Sequence, residues 1–259
     1  MTQMAASNSA LLRVANILAF ALTVIVNGLA GGTTILGGKL TAEISDTNPT
    51  LITPAGYVFS IWGVIYVLLG IFVVFQALPS QNTKGYHGRI GWLFVLSSLI
   101  NIAWIFLWQF EILSLSVVLI FLLLVTLIAI YLRLNIGKSA APLREKLAVH
   151  LPFSVYLGWI TIASIANVSV TLVSMGWSTL DLSIQETWAV LIIIIALLIT
   201  LLVIATRKDV AYGLVIIWAL LGIAVKQSGY QNVAITAEIG AVVTAVALAL
   251  SILISRLRR

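Results

Sequence analysis

The sequence predicts an all-α, polytopic membrane helix bundle with eight transmembrane helices and both termini in the cytoplasm. Three observations lead there. Hydrophobic residues make up 61% of the 259 and charged residues only 8%, giving a mean hydropathy of +1.16, which is more apolar surface than a water-soluble core absorbs. Apolar runs of roughly 20 residues, enough to cross about 30 Å of hydrocarbon at about 1.5 Å per helical residue, recur along the chain. They fall near residues 11–30, 54–77, 89–110, 113–134, 149–174, 187–206, 210–225 and 232–255. Finally, the basic residues sort onto one face, as cytoplasmic retention of Lys and Arg requires.

The first run, preceded by a single Arg13 and followed by Gly28 to Gly32, has the outline of a signal peptide; its reading here is a retained helix. Residues 31–53, rich in Gly and Thr and closed by Pro54, make the longest outer connection, and long ordered loops commonly carry function. The third and fourth runs meet around Glu111 with almost no link, so they are expected to be antiparallel neighbours. An inner loop around Ser139 to Glu145 contains Pro142.

Eight spans place Arg13, Lys84, Arg89, Arg133, Lys138, Arg144, Lys146, Arg207, Lys208, Arg256, Arg258 and Arg259 on the inner face. Only Lys39 and Lys226 of the 14 basic residues fall outside. The acids do the reverse: Glu43, Asp46, Glu111, Asp181, Glu186 and Glu238 lie on the outer half, Glu145 and Asp209 on the inner. The high isoelectric point, about 9.8, is thus a product of topology. No clustered basic patch marks a nucleic-acid partner.

Absence of cysteine excludes disulfides, Cys-ligated zinc, iron–sulfur clusters and thiol chemistry. His87 and His150 both fall at the inner end, no Lys occupies a mid-helix position, and there is no Ser/His/Asp set, phosphate loop or carboxylate pair at a shared depth. No enzyme activity, cofactor or metal is expected.

Polar and aromatic residues form stripes. Phe59, Trp62, Tyr66 and Gly70 share one face of the second segment, Asn101, Trp104 and Trp108 one face of the third, and Tyr156, Trp159, Ala163 and Asn167 one face of the fifth. An amide in hydrocarbon costs several kcal/mol unless it is hydrogen-bonded, so Asn101 and Asn167 are expected to face protein or a cavity. The charge topology puts these stripes, with Asn27, between the membrane centre and the outer surface. Two readings follow: plain helix packing, or a pocket lined by aromatic planes that suits a flat apolar ligand.

Pro54-Ala-Gly-Tyr57-Val-Phe59-Ser-Ile-Trp62-Gly-Val-Ile-Tyr66-Val-Leu-Leu-Gly70 resembles the most characteristic segment of the TspO/MBR family, the tryptophan-rich sensory or translocator proteins. Asn101-x2-Trp104 looks like that family's third-helix motif, and Trp159-x3-Ala163-x3-Asn167 like its fifth-helix motif. The resemblance implies a TspO/MBR-like five-helix bundle over residues 1–177, with a ligand cavity under the first loop that takes porphyrins and other tetrapyrroles, or in some members sterols. Residues 178–259 then supply three additional transmembrane helices of unassigned role.

The expected function is binding, with translocation or sensing, of a hydrophobic planar ligand, porphyrin-like or sterol-like. Pro54, Phe59, Trp62, Tyr66, Asn101, Trp104, Trp108, Trp159 and Asn167 are the expected ligand-binding residues. The acidic outer face disfavours porphyrin propionates and leaves room for a neutral or cationic ligand. The alternative is a proton-coupled secondary transporter in which Glu238, inside the eighth run, is the coupling acid. Expected partners are the lipid bilayer and the small ligand, with no nucleic acid; a homodimer is compatible with the sequence. The expected location is the bacterial inner membrane.

Overall fold

The computed structural model describes residues 2–81, 84–177 and 181–257, with side chains from residue 10 onward. Arg258 and Arg259 of the expected inner set, and residue 178 where the second expected part begins, lie outside the described residues. Among the described residues there are helices and no strands: α1 (Thr2–Gly32), α2 (Thr41–Thr47), α3 (Ile61–Ala77), α4 (Tyr86–Ile90), α5 (Leu93–Gln109), α6 (Leu113–Arg133), α7 (Leu143–Glu145), α8 (Leu151–Ser174), α9 (Leu182–Arg207), α10 (Val210–Lys226) and α11 (Gln231–Leu257). Among the described residues six helical stretches are long and apolar enough to cross a membrane, and α5 and α10 are shorter apolar helices.

Helix boundaries follow from local chemistry. The run expected from residue 89 starts as α5 only at Leu93, because Gly91 adopts φ 51° and separates it from α4. The run expected from residue 54 opens as a 3₁₀ turn, Gly56–Ser60, and becomes α-helical only at Ile61. The run expected from 149 begins earlier, with α7 passing through a π-helical turn, Lys146–His150, into α8. After α5, Glu111 takes a left-handed conformation (φ 55°) while Glu111 N–H donates to the Trp108 carbonyl and Ile112 N–H to Leu107. Asn135 repeats this after α6, with Ile136 N–H on Tyr131 O and Asn135 N–H on Leu132 O. Both are Schellman ends, which satisfy carbonyls that the helix leaves orphaned. Lys208, also left-handed, closes α9 by donating to Ile204 O, and Asp209 then caps α10 by accepting from Tyr212 N–H.

The chain divides into two compact units. One comprises Met1–Thr41 and Trp62–Tyr156, the other Ala42–Ile61 and Leu157–Arg259. In the first, α1 packs on α5 and α5 on α6. Phe72, Phe94 and Phe153 meet edge to face with centroids 5.1, 5.1 and 6.0 Å apart, pairs that contribute about 0.5–1.5 kcal/mol each beyond simple burial. Buried Asn16 donates to Gln76 at 2.8 Å. Arg89 donates to the Glu145 carboxylate at 3.1 Å.

In the second unit, α10 packs against α9 and α11, and α9 against α11. The contact surfaces are small: Ala189, Ala196, Ala219, Ala237 and Ala241 are all buried. Gly213 and Gly240 let Leu248 and Leu220 approach to about the distance a β-carbon would need. Because lipid is as apolar as a leucine side chain, close backbone approach rather than burial of apolar area holds such helices together.

Gly37 lies at φ 71°, and a β-carbon there would sit 2.1 Å from the Gln109 carbonyl oxygen. Gly37→Ala combines left-handed strain of about 1–2 kcal/mol with a backbone collision, so its unfolding free energy is expected to fall by roughly 2 kcal/mol or more. Equilibrium unfolding in detergent measures this.

His87 generates a pH dependence. The buried ring lies 4.3 Å from Tyr86, and its Nε2 is 2.9 Å from the Gln81 carbonyl. Burial lowers its pKa below 6.5, the hydrogen bond opposes this, and the charge of Arg13 adds to the lowering. The folded state therefore prefers the neutral ring. The unfolded chain takes up the proton first as pH falls through 6.5, so this stability is complete above that value and is lost below it. The melting temperature of the wild type is expected to fall more steeply than that of His87→Gln between roughly pH 7.5 and 5.5.

Candidate ligand-binding site

The first unit brings five of the expected ligand-binding residues together. Trp62 and Tyr66 sit four residues apart on α3, and Trp104 and Trp108 four apart on α5, so each pair shares a helix face. Trp62 stacks with Tyr66 at 5.7 Å and with Trp104 at 6.1 Å. Trp104 in turn stacks with Trp108 at 5.8 Å. The rings form a continuous ladder, and Tyr156 meets Trp62 edge-on at 6.1 Å.

Beside the ladder lies an amide pair. Asn27 Nδ2 donates to Asn101 Oδ1 at 2.7 Å and to the Thr23 carbonyl at 2.9 Å, both side chains being buried. Among the described residues Asn101 Nδ2 has no hydrogen-bond partner, although the residue is 0% exposed.

Gln109, one residue beyond Trp108, organises the chain leaving α1. Its Nε2 lies 3.3 Å from the Ala30 carbonyl, 3.0 Å from Leu36 and 2.9 Å from Lys39. Trp108 Nε1–H donates to the Thr41 carbonyl at 3.1 Å, and Lys39 pairs with Glu111. A lone glutamine ending an apolar helix, set against a Gly-rich connection, is the sequence signal for this staple, and Gln109 belongs to none of the aromatic stripes.

The other expected residues belong to the second unit. Phe59 packs edge-on against Trp159 at 5.9 Å. Pro54 is buried next to Gly222, where an added β-carbon would come within 3.2 Å of it. Trp159 and Asn167 are both 2% exposed. The segment containing Pro54 is pinned to the end of α10: Ala55 N–H donates to Gly222 O, Gln227 Nε2 to the carbonyls of Thr50 and Thr53, and Lys226 to Asp46 at 2.6 Å. Trp218, from α10, donates to Val58 O and meets Tyr57 edge-on at 5.2 Å. Glu238 is exposed on α11. Among the described residues, no three His, Asp or Glu side chains gather as a metal site would require.

Six long apolar helices among the described residues, with an aromatic ladder and a buried amide pair between helices, describe a multi-pass integral membrane protein. The comparison with known families narrows the class: the model for TSPO-like proteins matches residues 13–251, and the chain belongs to that family. The match runs beyond residue 177 into α9, α10 and α11. No curated protein and no solved structure gives a significant match.

Replacing Asn27 by Leu removes the donor to Asn101 Oδ1, and Asn101→Leu removes one of the two acceptors of Asn27 Nδ2. Each single change is expected to lower unfolding free energy by roughly 1–2 kcal/mol, with the double change costing less than the sum because both halves of one pair go together. A double-mutant cycle of detergent unfolding curves checks the coupling.

Proposed function

We propose that this TSPO-like protein binds a flat, hydrophobic ligand of the porphyrin or tetrapyrrole class within the membrane, and moves or senses it rather than transforming it. The observation that carries this reading is the stacked series Tyr66, Trp62, Trp104 and Trp108 beside the unpartnered Nδ2 of buried Asn101. Aromatic faces offer dispersion and quadrupole contacts to a planar macrocycle. A buried donor without an acceptor costs about 1–3 kcal/mol, which a ligand acceptor recovers. The proposed contacts are Trp62, Tyr66, Asn101, Trp104 and Trp108.

The topology we propose is eight spans, with the five-helix bundle of residues 1–177 extended by three helices and both termini on the cytoplasmic side of a bacterial inner membrane. Helices α5 and α10, of 17 residues each, reach about 25 Å, close to the hydrocarbon thickness. The ion pairs support the arrangement, since each joins residues assigned to one face: Lys39 with Glu111 and Lys226 with Asp46 outside, Arg89 with Glu145 inside. The surplus of acids outside favours neutral or cationic macrocycles over those bearing carboxylates.

Titration of purified protein with neutral, cationic and anionic porphyrins, read by quenching of tryptophan fluorescence, tests the reading. Saturable quenching is expected, weakest for the anionic compound, with Asn101→Leu and Trp104→Leu each weakening affinity by about tenfold, the equivalent of about 1.4 kcal/mol. Quenching that does not saturate, or that is indifferent to both replacements, overturns it.

A further inference from the structure

Within the second unit, a cavity of about 30 Å³ lies between the chain at Thr50 to Ile52, the last turns of α8 and the first turns of α9. Trp177 and Trp188 both line it, their rings 5.6 Å apart and inclined at 41°. Trp177 follows Gly176, whose φ of 92° turns the chain immediately after α8. The Nε1–H of each indole is shut off from solvent and has no hydrogen-bond partner among the described residues.

Tryptophans gather at membrane interfaces because the indole N–H reaches water or headgroups while the ring stays in apolar surroundings. Here that explanation fails, since neither N–H reaches solvent. Two buried donors without acceptors carry a penalty that native proteins normally remove with a partner. The remaining wall combines the apolar Leu51, Ile52, Leu172 and Val173 with the uncharged polar Thr50, Ser169 and Gln185. It is also held in place: the carbonyls of Thr50 and Thr53 accept from Gln227, and the Thr50 and Thr53 hydroxyls lie 2.7 Å apart.

From this geometry we propose a second binding site, in which the Trp177 and Trp188 N–H groups together hold the oxygen of a neutral carbonyl, an ester or amide, whose apolar remainder lies outside the cavity. Size and charge select this chemistry. A water molecule occupies roughly 10–15 Å³ on the same measure, so the cavity takes a carbonyl and its immediate neighbours and excludes a whole macrocycle. A carbonyl oxygen has two lone pairs, one for each indole donor. Neither donor is cationic, and Gln185 is the polar side chain of α9 on the wall, so nothing there compensates the charge of a carboxylate or phosphate. The carbonyl has two sources, the ester linkage of a membrane glycerolipid or a dissolved small ester.

The experiment uses the full chain labelled at the indole nitrogens, in nanodiscs of ester-linked phosphatidylcholine and, separately, of its ether-linked analogue, which keeps the phosphate and lacks the carbonyls. Of the eight tryptophans, the two whose signals vanish in Trp177→Phe and Trp188→Phe are expected to resonate downfield in the ester lipid relative to the ether lipid. If they shift only when triacetin is added to the ether nanodiscs, the carbonyl comes from a dissolved ester. Val173→Phe, which narrows the cavity and leaves both indoles, is expected to abolish the shift. Should no indole signal of the wild type differ between the lipids or respond to triacetin, the proposal is overturned. It is equally overturned if Val173→Phe leaves the shift intact or inorganic phosphate produces it, and the wild-type comparison decides even if a Phe variant fails to fold.

Discussion

Hydrocarbon offers no hydrogen bonds, and that single property governs how this chain arranges its polar groups. Every amide taken into an apolar helix has to find its partner on another helix or on the backbone. Asn16 finds Gln76, Asn27 finds Asn101, and Gln109 finds the carbonyls between Ala30 and Lys39. Because lipid supplies no solvophobic force between helices, these few directional contacts, together with close approach at glycine and alanine, determine which helix faces meet. The aromatic ladder depends on them: Asn101 ties α5 to α1 one turn from Trp104, so the face carrying Trp104 and Trp108 is set by the amide.

The chain between α1 and α3 is fastened by the same device in each unit. Gln109 closes α5 and donates to the stretch ending at Lys39; Gln227 follows α10 and donates to Thr50 and Thr53. A primary amide at the end of an apolar helix is well suited to the task. It projects two donors into a group of backbone carbonyls that have no helix of their own, and it carries no charge to be desolvated. In each unit an ion pair, Lys39 with Glu111 or Lys226 with Asp46, adds a solvent-exposed contact nearby.

Much of this was legible in the sequence because membrane helices are written in long, nearly unbroken apolar runs. The starts and ends of α6, α9, α10 and α11 fall within a few residues of the expected runs, with Asp181 and Asp209 capping α9 and α10 through Ser183 and Tyr212. Departures occur where a local conformation interrupts a run: Gly91 splits α4 from α5, and a 3₁₀ turn at Gly56–Ser60 precedes α3. Spacing also indicated that Trp62 with Tyr66, and Trp104 with Trp108, share faces, and these pairs do stack. It did not reveal the partners of Gln109 and Gln227 or the meeting of Trp177 with Trp188, for these contacts join distant parts of the chain and have no period. The helical repeat reports which side of a helix a residue is on, and is silent about which neighbour faces it.

The Gln109 staple also has a consequence for how the gene can vary. A single-base change turns a glutamine codon into a glutamate codon, leaving shape and volume almost untouched. At this position it would replace a donor shared among the carbonyls of Ala30, Leu36 and Lys39 with a carboxylate that repels all three. The position requires the capacity to donate rather than a given size, so one of the mildest replacements by volume is among the least tolerable.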